Sequence, residues 1–145
     1  MPRKRQLIQN TTMRNIIAVA LMTLAFAVEA DWEKLTSDEK MAIYIDRASI
    51  RDKANERRVW LLADYKKPPK IGSIPFMSAR MLEEFECSEE RFRTLSLTGF
   101  SAAMGNGKAV YRDDHPTHWH YAAPGVAMGV IMKNICPPVP KSNHQ

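Results

Sequence analysis

Residues 57–65 read RRVWLLADY. Successive side chains of an extended chain point to opposite sides, so Val59, Leu61, Ala63 and Tyr65 share one face and Trp60 and Leu62 the other. Apolar groups on both sides predict a central strand covered on both faces. Upstream, MAIYID (residues 41–46) alternates Met41, Ile43 and Ile45 with Ala42, Tyr44 and Asp46, the period of a half-buried strand. The RASIRDKANE between them is polar and reads as a short connection with one helical turn, and LTSDEK (residues 35–40) reads as a polar stretch after Trp32.

Downstream, paired prolines with a nearby glycine mark KKPPKIGS (residues 66–73) as a loop. In PFMSARMLEEFEC (residues 75–87), Met77, Ala79, Met81, Phe85 and Cys87 fall on one side, interrupted by Glu83, with Phe76, Ser78, Arg80, Glu84 and Glu86 opposite. Its Arg, Met, Leu and Glu also favour helix, and the alternation decides for strand. RFRTLSLTGF, a GNG turn and KAVYR then read as a hairpin. The last element changes period: Met128, Ile131, Met132, Ile135 and Cys136 recur at helical spacing, and Pro137 and Pro138 end the helix. Gly125 and Gly129 weaken that helix locally, so packing must hold it. Strands followed by one helix predict an α+β domain: a single antiparallel sheet with a carboxy-terminal helix packed on one face.

The chain has 145 residues, 45% apolar and 26% charged, enough for one core. Residues 1–30 read as a signal peptide outside that core. Arg3, Lys4, Arg5 and Arg14 precede the run from Ile16 to Val28, which as a helix reaches only about 20 Å against a hydrocarbon thickness of roughly 30 Å. Small residues at Val28 and Ala30 place cleavage before Asp31, and Met13 offers a second start to the same signal. No stable transmembrane span is expected. The domain is expected over residues 31–137, with a disordered tail over 138–145.

Removing residues 1–30 subtracts four from the 21 basic residues and one from the 16 acidic, leaving a surplus of two. A nucleic-acid binder keeps a strong basic excess on its folded domain, so no nucleic-acid partner is expected. Cys87 and Cys136 are the two cysteines. An even count in an exported chain points to a disulfide, here tying helix to strand. The loop it closes makes it worth about 4 kcal/mol on the chain-entropy account.

The sharpest cluster of chemistry-bearing side chains is DDHPTHWH, residues 113–120. His118 and His120 are two apart, and His115, Asp113 and Asp114 are near enough in sequence to complete a metal shell, with zinc or axial ligation of haem as the two chemistries. Against this stands a polar surface loop with Trp119 tucked into the core. Lys66, Lys67 and Lys70 form a basic contact patch for acidic glycans or anionic lipid heads, or a solvated face. Arg91 and Arg93 alternate beside Glu89 and Glu90, which paired surface charges explain. There is no G-x-S-x-G elbow, P-loop, H-E-x-x-H or C-x-x-C, so the sequence gives no enzyme signature, catalytic residue or resident cofactor.

YIDRASIR (residues 44–51), VWLLADY (residues 59–65), ECSEERFRTLSLTGFS (residues 86–101), Trp32, Trp119 before Pro124, and Cys136 closing a helix resemble the surface-adhesin protein E family. The resemblance implies an antiparallel sheet of about six strands with a carboxy-terminal helix, and admits a homodimer. It implies an exported, non-enzymatic binding protein at the periplasm or cell surface of a Gram-negative bacterium, with a host-matrix or cell-envelope protein as partner. Two departures stand out: no cysteine follows the cleavage region for lipid attachment, and the KKPPK and HPTHWH segments lie outside the family pattern. The rival reading is a periplasmic metal- or haem-binding protein using segment 115–120.

Overall fold

The computed structural model describes residues 30–138. The expected signal peptide, apart from Ala30, lies outside the described residues, as does all of the expected tail except Pro138. RRVWLLADY lies within β3 (Glu56–Tyr65), flanked by β2 (Met41–Lys53) and β6 (Ser78–Glu86), both antiparallel to it. Outward from β2 lies β1 (Trp32–Ser37), and outward from β6 lies β7 (Arg91–Phe100). The far edge of β7 pairs with β8 (Ala109–Asp113) along one stretch and β9 (His120–Tyr121) along another, giving a seven-stranded antiparallel sheet. The single-sheet expectation needs correction: within KKPPKIGS and the two residues after it, β4 (Lys70–Ile71) and β5 (Ile74–Pro75) form a separate two-stranded hairpin.

Two segments read as polar connections are strand. β2 runs on through RASIRDK, with an irregular register between Asp46 and Arg51. Side chains satisfy the backbone there: Asp46 accepts the Ala48 N–H, while the Ser49 hydroxyl donates to the Asp46 carbonyl and accepts the Trp60 N–H. Likewise β1 takes in the first half of the polar LTSDEK stretch, Leu35 to Ser37. As an edge strand it can be polar where a central strand cannot.

The helix α1 (Ala127–Ile135) lies on one face of the sheet, with Ile131, Met132 and Ile135 buried against Ile43, Ile45, Val59, Leu61 and Phe85. Gly129 is required by this packing. A Cβ there would collide with the carbonyl oxygen of Ala123, so the glycine lets the helix sit against the segment that leads into it. Arg57 donates to the carbonyl of Ile135 and pairs with Asp52 at 2.8 Å, so a cation meets the negative end of the helix. Cys136, just past the helix, is bonded to Cys87, just past β6, with their Cα atoms 5.6 Å apart. The expected link from helix to strand is present.

Candidate functional site

The face of the sheet turned away from α1 has a different composition. Register fixes which side chains share it: Trp32, Asp46, Trp60, Leu82 and Ser96 form one row across β1, β2, β3, β6 and β7. A parallel row holds Arg58, Glu84 and Arg93. Glu84 is fully buried on this face because two arginines cover it, Arg58 Nε donating at 2.7 Å and Arg93 Nε at 2.6 Å. Burial alone would push its carboxyl up; the hydrogen bonds and charges of Arg58 and Arg93 outweigh that and hold it below the usual carboxylate range. Beside this triad, Arg91 Nε donates to Glu86 at 2.6 Å. The guanidinium carbons of Arg91 and Arg93 lie 4.9 and 4.5 Å from the ring centre of Trp119, so that indole is stacked under two cations. Trp119 is therefore half-buried on the open face and not tucked into the core beneath the helix.

One extra residue builds this row. Leu82 pairs with Ser96 but Glu83 pairs with Thr94, so Leu95 is a bulge in β7. It inverts the alternation beyond it, bringing Arg93 to Glu84 on the open face and Phe92 to Phe85 on the helix side. The sequence carries the signal: Phe92 and Leu95 are three apart, while Leu95 and Leu97 are two apart. The arginines read as surface partners of Glu89 and Glu90 have Glu86 and the buried Glu84 instead.

At its other end the face is closed by the loop joining β7 to β8. The Ser78 hydroxyl donates to the Ala102 carbonyl at 2.6 Å and accepts the Gly105 N–H at 2.8 Å, while Asp64 accepts the Met104 N–H at 2.8 Å. Between this loop and the arginine triad the face stays open, with Trp60 37% exposed and Leu82 and Trp32 half-buried. All three tryptophans of the chain thus stand on the sheet face that the helix does not cover.

The family model for surface-adhesin protein E matches residues 32–137. The chain belongs to the surface-adhesin protein E family. No curated protein matches it significantly. Solved structures of protein E from Haemophilus influenzae share the fold. Its selenomethionine form is 14% identical, with TM-score 0.57 over 75% of this chain and 88% of that one. Protein E from non-typeable Haemophilus influenzae is 15% identical, with TM-score 0.54 over 77% and 78%. At such identity the likeness is one of fold.

In this member of the family the histidine segment is spread along the sheet edge. His115 is almost fully exposed and its Nδ1 lies 2.9 Å from Asp113, whose carboxyl is held down first by the backbone N–H of His115 and then by its ring. His118 is exposed, and the His120 ring lies 5.8 Å from that of Phe92. Among the described residues no group of three or more His, Cys, Asp or Glu side chains is placed to hold a metal ion. Lys66, Lys67 and Lys70 are all exposed, and Lys66 donates to Ser37 and to the carbonyl of Asp38. No helix among the described residues is long and apolar enough to cross a membrane.

Proposed function

We propose that this chain is an exported, non-enzymatic binding protein of the adhesin E type, which docks a host-matrix or cell-envelope protein on the helix-free face of its sheet. One observation carries the reading: three tryptophans and four arginines (Arg58, Arg80, Arg91 and Arg93) share that face, with Trp60 and Leu82 open between them. Tryptophan and arginine are the residues that carry most of the energy in protein interfaces, and a rigid sheet holds them with little freedom left to lose on binding. Glu84 fixes Arg58 and Arg93, so their stems and planes are already ordered in the free protein. Family membership supports the adhesin-type role, and the apolar leader supports export to the periplasm or surface of a Gram-negative cell.

The test has two parts. Protease applied to intact cells digests a surface protein and spares one held in the periplasm. Binding to immobilised matrix and envelope fractions is then compared for the mature chain and its Trp60→Glu variant. The expected result is loss of about tenfold or more in affinity with the fold intact. Unchanged binding by Trp60→Glu removes the face from the account.

A further inference from the structure

The arginines of the open face are of two kinds. Arg58 and Arg93 share Glu84, Arg91 has Glu86 and Arg112 has Asp114. Arg80 has no carboxylate partner among the described residues. Its guanidinium carbon lies 5.1 Å from the ring centre of Phe100 and 6.0 Å from that of Trp32, so two aromatic rings hold it. Its Nη2 reaches the Gly105 carbonyl only at 3.4 Å, and its buried Nε has no partner. Gly105, at φ +71°, lets the loop lie on this side chain; a Cβ there would sit 2.6 Å from Nε. A guanidinium carries five N–H donors, and here the protein offers one distant acceptor.

We propose that Arg80 is an anion-recognition site that takes the side-chain carboxylate of an acidic segment on the protein partner. The proposal rests on the reading of the open face as the docking surface and adds the chemistry of what docks. With Nε turned under the loop, a carboxylate meets the Nη edge, where two parallel hydrogen bonds can form. Stacking between Trp32 and Phe100 fixes the plane in advance, which reduces the entropy lost on binding. Pairing points the same way: Arg58, Arg91 and Arg93 are met by Glu84 and Glu86, which leaves Arg80 as the one of these four with no carboxylate beside it. A sulfated glycan or other polyanion fits less well. It draws on many uncommitted cations, and three of these four arginines are already paired with carboxylates, with apolar Trp60 and Leu82 beside them.

The probe is a ten-residue peptide alternating Glu and Leu, with a Gln–Leu peptide and heparin as comparisons, titrated into the isotope-labelled mature chain. The Glu peptide is expected to move the Arg80 Nε–Hε and Trp32 indole signals, less so as salt rises, while the Gln peptide does not. Arg80→Gln should weaken binding about tenfold and Arg80→Lys, which keeps charge but not the fork, by several-fold. Arg47→Gln, whose partner is Glu33 at the β1 edge, should leave it unchanged. Equal binding by Arg80→Gln, equal response to the Gln peptide, or a heparin response as strong as that of the Glu peptide overturns the proposal. If Trp60→Glu abolishes capture of matrix or envelope protein while Arg80→Gln does not, the docking face stands and this site falls. If neither variant changes capture, both fall.

Discussion

Glu83 and Glu84 are adjacent in β6, point to opposite faces, and meet opposite electrostatic fates. Glu83 lies on the helix side, only 2% exposed, between Val59 and Thr94. The Thr94 hydroxyl donates to one of its oxygens at 2.8 Å, and the other has no partner. Burial outweighs the threonine's hydrogen bond and raises its carboxyl from 4.5 to about 7. A carboxyl whose folded pKa lies above its unfolded one holds its proton longer in the native state. Stability therefore falls as pH rises from about 4.5 to about 7, by roughly 3 kcal/mol in all. Glu83→Gln should remove that slope: by urea unfolding the variant should be about 1–2 kcal/mol less stable than the parent near pH 4.5, the cost of one unpaired amide, and about 1–2 kcal/mol more stable at pH 8. A parent protein equally stable at both pH values contradicts this.

Glu84 slopes the other way. Its folded pKa is depressed, so its contribution is present above the unfolded value and is lost as pH falls through the folded one. Glu84→Gln at pH 7 should cost about 1–3 kcal/mol, less than a wholly buried pair because Arg58 and Arg93 are partly exposed. The same urea titration reads it, and an unchanged midpoint would show that the triad contributes nothing to the fold.

At the level of elements, the sequence disclosed whatever repeats and concealed whatever breaks a repeat. The alternation of Val59, Leu61 and Ala63 located the central strand, and the stripe of Met128, Ile131, Met132 and Ile135 located the helix. The β1 strand was hidden because an edge strand owes its place to backbone pairing and not to an apolar face. The second half of β2 was hidden because its irregular register scrambles the alternation, with Asp46 and Ser49 taking over the hydrogen bonding. The open face was partly visible, since Trp60 and Leu62 share one side of the central strand; that side is expected to be covered like the other, and Leu62 is buried while Trp60 is not. What joined Trp119 and Arg93 to it was the Leu95 bulge, whose only mark in the sequence is the three-residue step from Phe92 to Leu95. Gly129 shows the same limit. Propensity alone says that Gly129→Ala stabilises the helix by about 1 kcal/mol. The contact with Ala123 predicts a net loss of about 1–3 kcal/mol instead, because backbone cannot yield as a side-chain tip can. Thermal unfolding decides the sign, and a raised Tm would refute the packing argument.

Over the whole molecule, the sheet divides two tasks between its faces. The helix side holds the core, and the Cys87–Cys136 bridge ties the end of that helix to the turn after β6. Replacing both cysteines by serine should cost about 3–4 kcal/mol in urea unfolding, with the far-ultraviolet spectrum retained. A stability equal to the parent's would mean that packing alone secures α1. The opposite face carries no helix, which leaves Trp60 open for the docking proposed above. Hydroxyl-radical footprinting of the mature chain, free and bound to its captured partner, tests that division most directly. Trp32, Trp60 and Trp119 should be protected in the complex, with Met128 and Val130 on α1 unchanged. Protection confined to α1, with the three tryptophans oxidised as in the free protein, would contradict it.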